Sequence, residues 1–176
     1  LNTGDLNDGI LYQTSKKITS KALADYTSLK VFPADSVVIA MYGATIGKTS
    51  LVKCEITTNQ ACCVFQGSEV IENEFLFYWF IANKMNIINL SKGGGQPNIS
   101  QEILKSLKVP CPEKNEQIRI VNFIESEVAK NEMIVRKIQE EIELLKEYKT
   151  ALISEVVTGK VDVRDEVIAE STELVS

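Results

Sequence analysis

The sequence predicts an α+β protein: a mixed α/β domain over residues 1–112, followed by a single long coiled-coil-forming α-helix over residues 113–158. The first part carries short apolar runs separated by turn residues, which favours strands and short helices. The second part has no glycine or proline between Glu116 and Val157, and its apolar residues recur at alternating steps of three and four. A tail, residues 159–176, is expected to be partly strand-like or disordered, with a short strand at 160–164.

Three apolar segments of the first part predict strands. Residues 37–41 follow a Pro-Ala-Asp turn and are few enough to form one buried strand. The stretches TSLVKCEITT (49–58) and QACCVFQG (60–67) are the second and third candidates. A fourth, brief strand is expected in KVPCPEK (108–114), where the prolines mark the domain boundary.

Two helices are predicted between these strands. The segment ENEFLFYWFIANKMNIINL (72–90) has a helical period, with Asn73 as N-cap. Its aromatic residues are interpreted as core, not as a platform for stacking bases. Ser100 is expected to cap a short helix over residues 101–107. The face expected to be buried in the first helix consists of Phe75, Tyr78, Trp79, Ala82 and Met85.

The long helix is expected to start after Asn115 as N-cap and to end at Gly159, at about 1.5 Å per residue and roughly 60 Å in length. Asn131 and Lys149 interrupt its apolar stripe, where polar residues commonly fix the register of a coiled coil. A stripe left in water would associate, so another helix is expected to lie along it, from a second copy or from another part of the chain. The predicted seam is Val121, Ile124, Val128, Asn131, Val135, Ile138, Ile142, Leu145, Lys149, Leu152 and Val156.

Composition excludes several classes of site. The 176 residues contain no histidine, which rules out Cys/His zinc sites, Ser-His-Asp triads and Cys-His dyads. The four cysteines, without a secretion signal, are interpreted as core residues of a cytoplasmic protein. Residues 1–114 carry 11 basic and 10 acidic residues, whereas residues 115–176 carry 8 and 14. The net charge of −5 therefore resides in the second half and does not exclude DNA binding by the first.

The stretch MYGATIGKTS (41–50) imitates a phosphate-binding loop. Such a loop needs four residues between its first glycine and Gly-Lys-Ser/Thr, but only three separate Gly43 from Gly47. It also needs a long helix straight afterwards, whereas SLVKCEITT is typical of a strand. Nucleotide binding is therefore disfavoured.

Four polar loops remain as candidates for binding: TGDLNDG (3–9), GATIGKT (43–49), TTNQA (57–61) and SKGGGQPNIS (91–100). Asn and Gln pair with adenine, Lys with guanine or phosphate, and Thr with either or with the thymine methyl group. The same residue types also build ordinary turns, so composition alone leaves both interpretations open. Gly43 and Gly47 in particular can serve the fold. The candidates for DNA contact are Thr45, Lys48, Asn59, Gln60, Lys92, Gln96 and Asn98, with Gly93, Gly94 and Gly95 supplying loop flexibility.

The order of five motifs resembles the specificity subunit of type I restriction-modification systems. They are TGDLND, SVVIAMYGATIGKTSLV, TTNQACC, GGGQPNISQEILKSLKVPCP with NEQIRIVNFI, and LLKEYKTALISEVVTGKVDVRD. The resemblance implies a target recognition domain followed by a conserved spacer helix, two such units normally being joined with antiparallel helices. It further implies double-stranded DNA, a methylation subunit that carries S-adenosylmethionine, and an ATP- and magnesium-dependent restriction subunit as partners. No catalysis or cofactor is expected in this chain itself.

The resemblance covers residues 3–165 and one domain with one helix, so a half subunit or the C-terminal half of a longer one is expected. A homodimer would present two identical domains and is expected to read a palindromic, interrupted target. Two other readings remain: an assembly module that acts through its coiled coil without binding DNA, and an enzyme.

Overall fold

A computed structural model describes residues 1–93 and 97–164. The fold is α+β: a four-stranded sheet with four short helices, followed along the chain by one long helix. The strands are β1 (Ile10–Leu11), β2 (Ser36–Ala40), β3 (Thr49–Val52) and β4 (Cys62–Phe65), and the helices are α1 (Ser20–Asp25), α2 (Asn73–Ala82), α3 (Lys84–Ile88), α4 (Gln101–Ser106) and α5 (Lys114–Val157).

The sheet is built around β2 in the order β1-β3-β2-β4. Strand β2 is antiparallel to both neighbours, with Val38 opposite Ser50 on one side and Val64 on the other. The short β1 adds to β3 in parallel. All five residues of β2 are buried, because both faces of the sheet are covered. This explains why β2 is a continuous apolar run and not an alternating one.

The side chains of β2 alternate between two cores, as the period of a strand requires. Val37 and Ile39 face a larger core that includes Phe77 and Phe80 of α2. Val38 and Ala40 face a smaller core on the opposite side. That second core is completed by Leu6, Val52, Ile56 and Cys62.

The first predicted strand, 37–41, is confirmed one residue earlier as Ser36–Ala40, and the third, 60–67, is confirmed as the shorter Cys62–Phe65. The second candidate, 49–58, is a strand only over Thr49–Val52, and Ile56 beyond it forms an isolated bridge with Phe32. The fourth candidate, 108–114, is wrong, because residues 107–113 form no strand. Residues 160–164 are also turn and coil instead of the short strand predicted there. Residues 165–176 of the predicted tail lie outside the described residues.

The predicted helix over residues 72–90 is divided at Asn83 into α2 and α3. Glu72, not Asn73, is the N-cap residue, and Asn73 is the first residue of the helix. The Asn73 Oδ1 atom is buried and finds no hydrogen-bond partner among the described residues.

The buried face of α2 was also predicted wrongly. Leu76, Phe77 and Phe80 are buried, whereas Met85 is 66% exposed and Ala82 is exposed. Almost every residue from 75 to 81 is apolar, so the period does not select one face. The interpretation of the aromatic residues as core is confirmed, since Tyr78 and Trp79 also pack against the larger core.

The ends of α4 and α5 follow local rules. The Ser100 hydroxyl accepts a hydrogen bond from the Ile103 N–H and caps α4, as predicted. Helix α5 begins at Lys114, so Asn115 lies inside the first turn and is not the predicted N-cap. Gly159 has φ +74°, and the N–H groups of Gly159 and Lys160 close the helix by bonding to Val156 and Glu155.

Most of the apolar stripe of α5 is exposed. Val121 is buried and Ile124 is half-buried, but Val135 is 53% and Leu145 60% exposed. The chain divides into two compact units, Leu1–Ile124 and Glu125–Ser176. The domain boundaries predicted at 112 and 158 stay a prediction.

Among the described residues, no helix is long and apolar enough to cross a membrane.

The cysteines divide into two groups. Cys62 and Cys63 are buried core residues, as predicted, and burial raises the pKa of both thiols to about 11. They are therefore protonated, unreactive thiols at neutral pH. Cys54 is half-buried, and Cys111 is exposed and does not belong to the core.

Gln117 is a fully buried polar side chain near the start of α5. Its Oε1 accepts a hydrogen bond from the Glu72 N–H at 2.8 Å, and its Nε2 donates to the carbonyls of Val70 at 2.8 Å and Pro112 at 2.7 Å. One side chain thus forms hydrogen bonds to three backbone groups in the segments that precede α2 and α5. The amide suits this position because it both donates and accepts.

Replacing Gln117 by Ala should lower the free energy of unfolding by about 2–4 kcal/mol, because the buried backbone groups lose their partners. Urea denaturation followed by circular dichroism would measure this loss. Asn115→Ala, at an exposed position two residues earlier, is the matched control and should change stability by no more than about 0.5 kcal/mol. Equal effects of the two variants would refute the anchoring role of Gln117.

Candidate nucleic-acid interface

Three of the polar loops meet at the end of β2. We name them loop A (residues 43–48), loop B (57–61) and loop C (92–98). Met41 and Tyr42 connect β2 to loop A, and loops B and C bond to the backbone of residues 41–43. The sequence does not indicate this arrangement, since loops A and C lie more than 40 residues apart along the chain.

Loop A is closed by the last residue of β2. The Ala40 N–H donates to the Lys48 carbonyl, and the Ala40 carbonyl accepts from the Gly47 N–H, each at 2.9 Å. A single 3-10 turn occupies Gly43–Thr45, and β3 follows at Thr49. A strand thus follows this loop, where a phosphate-binding loop requires a long helix.

The two glycines of loop A differ in their surroundings. Gly43 has φ +66° and Gly47 has φ +78°, both in the left-handed region. A Cβ atom on Gly43 would meet nothing within 4 Å, whereas one on Gly47 would lie 2.9 Å from Cγ1 of Ile88 in α3. Gly47 is therefore required by the packing of loop A on α3.

Loop B ends in a local turn. The Asn59 Oδ1 accepts a hydrogen bond from the Ala61 N–H at 3.2 Å, and the Asn59 carbonyl accepts from the Cys62 N–H. The Ala61 carbonyl then accepts from the Met41 N–H at 2.9 Å. Asn59 and Gln60 remain exposed at the tip.

Loop C is closed at its base by two hydrogen bonds between Lys92 and Asn98, of 2.9 and 3.0 Å. Pro97 accepts from the Gly43 N–H at 3.0 Å, and the Ile99 N–H donates to the Met41 carbonyl at 2.9 Å. Gly93 has φ +100°. The other candidates in this loop, Gly94, Gly95 and Gln96, lie outside the described residues.

The candidate side chains that the structure describes differ in exposure and in their contacts. Lys92 and Asn98 are exposed, and Thr45 and Lys48 are half-buried. Thr45 donates its hydroxyl proton to the Tyr42 carbonyl at 3.2 Å. Within residues 1–93 and 97–164, neither Lys48 nor Lys92 forms an ion pair. Since loops A, B and C contain no Asp or Glu, their joint surface carries positive charge and amide groups.

The fourth polar loop, residues 3–9, serves the fold. Asp8 accepts from the Thr49 N–H at 3.0 Å and forms an ion pair with Lys84 of α3 at 2.7 Å. Asn7 exchanges hydrogen bonds with Ser50. These side chains hold β3 and α3 together.

Sequence analysis missed two exposed features of the first domain. Tyr42 is 46% exposed and lies between loops A and C, opposite Asn98. An exposed aromatic residue directly after a buried strand could have indicated it. Residues 12–31 expose four lysines, and no ion pair joins them to any described residue. The lysines are Lys16, Lys17, Lys21 and Lys30.

The arrangement has the chemistry of a binding surface. Among the described residues, no group of three or more Cys, Asp or Glu side chains could hold a metal ion. Cationic and amide side chains on glycine-containing loops suit a polyanion with hydrogen-bonding edges, as nucleic acid is.

The family to which this sheet with its three polar loops belongs is shown by comparison of the sequence. Residues 1–144 match the type I restriction modification DNA specificity domain, and the chain belongs to that family.

Curated relatives include the specificity subunit of the type I restriction enzyme EcoR124I/EcoR124II from Escherichia coli, which is 27% identical over 145 residues. That match covers 80% of this chain and 36% of the relative. The specificity subunit of the type I restriction enzyme MjaIX from Methanocaldococcus jannaschii is 29% identical over 128 residues, covering 68% and 29% of the two chains. The chain thus spans about a third of the length of these relatives.

Solved structures share the fold. A chain from a study of complex assembly in the type I R-M system superposes with a TM-score of 0.67 at 16% identity, covering 88% of this chain and 37% of that one. The S subunit of a type I restriction-modification system from M. genitalium gives a TM-score of 0.52 at 22% identity, covering 71% and 34%.

Gly47→Ala and Gly43→Ala should separate packing from backbone strain in loop A. Both place Ala in the left-handed region, at about 1–2 kcal/mol, and Gly47→Ala should lose about 1–3 kcal/mol more through its clash with Ile88. Thermal unfolding of the two variants would measure the difference. Equal losses would show that α3 yields freely and that Gly47 is not a packing position.

Proposed function

We propose that this chain reads one half of a bipartite DNA target through loops A, B and C and joins its partners through α5. The observation that carries the proposal is the fixation of three acid-free loops to the end of β2. Family membership and the specificity-subunit relatives support the same function.

The exposed side chains suit both kinds of DNA contact. Asn59, Gln60 and Asn98 carry amides that can pair with the edge of adenine, and Lys48 and Lys92 can meet guanine or phosphate. Backbone hydrogen bonds hold the ends of each loop, so the side chains are presented from fixed positions. Gln96, with Gly94 and Gly95, is included in this proposal from the sequence alone.

The chain acts without catalysis of its own in this proposal. Methylation belongs to a partner that binds S-adenosylmethionine, and cleavage to a restriction partner that uses ATP and magnesium. This chain contributes the recognition surface and a helix on which the methylation subunit docks. The complex works on double-stranded DNA in the cytoplasm. If two copies pair through α5, their two-fold symmetry requires an interrupted palindrome as target.

The test is the salt dependence of DNA binding by lysine variants. Lys92→Ala and Lys48→Ala should each weaken binding, and a lysine that contacts phosphate should flatten the slope of log K against log salt by about 1. A lysine that reads guanine should instead lose affinity selectively, by about 1–3 kcal/mol, for duplexes with guanine at one position. Fluorescence anisotropy at several salt concentrations would separate these outcomes.

Lys137→Ala, an exposed lysine of α5, is the control for loss of charge and should leave both affinity and slope nearly unchanged. The proposal would be contradicted if all three variants bound every duplex as tightly as the parent chain. A parent chain that binds no duplex at any salt concentration, while α5 still pairs, would favour the assembly module instead.

A further inference from the structure

Between β1 and β2 the chain makes an excursion over residues 12–31, which we name the basic arm. None of these residues is buried, and the helix within the arm, α1, contributes no residue to either core. A helix of six residues is not stable by itself in water, and connections as long as this one usually have a function. Among the described residues, the arm therefore lacks a packing partner.

The charge of the basic arm determines the kind of partner that it suits. The arm contains four lysines and one aspartate, so its net charge is +3, whereas the whole chain carries −5. Lys16, Lys17 and Lys21 form no ion pair with any described residue. The Lys30 ammonium group lies 5.0 Å from the centre of the Phe32 ring and forms no ion pair within the described residues either. Exposed ammonium groups without neighbouring carboxylates attract a polyanion.

The side chains of the basic arm suit phosphate groups better than the edges of bases. Base edges are read mainly by amide and guanidinium groups, and the arm contains one amide, Gln13, and no arginine. Lysine is a point charge on a flexible stem and binds phosphate well. Tyrosine hydroxyl groups also bond to phosphate oxygens, and the arm exposes Tyr12 by 72% and Tyr26 by 63%.

A carboxylate fixes the start of the basic arm near loop B. The Asp5 Oδ1 atom accepts a hydrogen bond from the Ser15 N–H at 3.1 Å. Leu6, the residue after Asp5, is buried in the smaller core together with Cys62, which directly follows loop B. The first two lysines of the arm, which follow Ser15, therefore lie near the core that supports loop B.

We propose that the basic arm is a second DNA-binding surface, separate from loops A, B and C, which holds the phosphates of the duplex whose bases the loops read. Phosphate contacts supply affinity and fix position, whereas base contacts supply specificity. The loops thus select the sequence, and the arm adds the same affinity to every sequence. This inference rests on the proposed function for the identity of the ligand and adds a binding site to it.

Removal of the charge of the basic arm tests the proposal. Lys16→Ala/Lys17→Ala/Lys21→Ala should lose three phosphate contacts and flatten the slope of log K against log salt by about 2–3. Counterion release contributes nothing near about 1 M salt, so the affinity at about 0.1 M should fall on the order of a hundredfold. Fluorescence anisotropy would measure both quantities, with the full-length gene product, its methylation subunit and a short duplex of arbitrary sequence.

Two further variants separate the effect of charge from effects on folding. Arginine at the same three positions retains the charge and should keep the slope of the parent chain. The matched control removes three exposed lysines outside the basic arm and loops A, B and C, and it should leave affinity and slope nearly unchanged. Its substitutions are Lys108→Ala, Lys137→Ala and Lys160→Ala.

A second duplex, which carries the motif selected from random DNA, shows whether the basic arm reads sequence. The alanine variant of the arm should weaken binding to both duplexes by the same factor, so the ratio of the two affinities should equal that of the parent chain. A loss confined to the duplex with the motif would overturn the proposal, because the arm would then read bases.

The proposal is also overturned if the alanine variant of the basic arm binds DNA as tightly as the matched control does. The proposed function would still stand in that case if Lys92→Ala and Lys48→Ala weakened binding. Conversely, a flattened slope in the arm variant without any effect of the two loop variants would support the arm and contradict the role of the loop lysines.

Discussion

Met41 uses both of its backbone polar groups to hold loops from distant parts of the chain. Its N–H donates to Ala61 at the end of loop B, and its carbonyl accepts from Ile99 just after loop C. Its side chain is buried in the larger core. Loop A leaves the same segment two residues later and is closed on Ala40. The candidate surface therefore depends on one stretch of backbone that the core fixes.

The backbone that positions the loops and the side chains exposed at the loop tips are therefore separate parts of the surface. Backbone hydrogen bonds and Gly47 define where the loops begin and end, and they place few demands on the side chains of Gln60 or Lys92. Such tips can change without disturbing the core. Helix α5 shows a comparable division within one element. Gln117 is fully buried and hydrogen-bonded through both its oxygen and its nitrogen, whereas Val135 and Leu145 are more than half exposed.

The sequence predicted the features that depend on local chemistry. The buried run of β2, the Ser100 cap and the long helix ending before Gly159 were all confirmed, since each follows from neighbouring residues. The orientation of α2 was not predictable, because a nearly continuous apolar segment has no distinct face. The strand expected at 108–114 fails because Pro110 and Pro112 lack the N–H groups that pairing needs.

The candidate site was predicted as a set of loops but not as one surface. Polar composition indicated loops A, B and C, and long-range backbone hydrogen bonds of Met41 with Ala61 and Ile99 bring them together. No local pattern encodes that pairing. Polar composition also predicts the loop at residues 3–9 as a binding loop, although Asp8 and Asn7 form hydrogen bonds within the fold. A carboxylate close to a β-strand was the available signal for a structural role.

Selection from a pool of random duplexes tests the central claim most directly. The full-length gene product would be incubated with its methylation subunit and the pool at a fixed salt concentration. The retained DNA would then be sequenced. The account predicts enrichment of an interrupted motif, and a palindromic one if two copies of α5 pair. Retention without enrichment would contradict it, because it would leave only electrostatic affinity and no role for loops A, B and C in reading sequence.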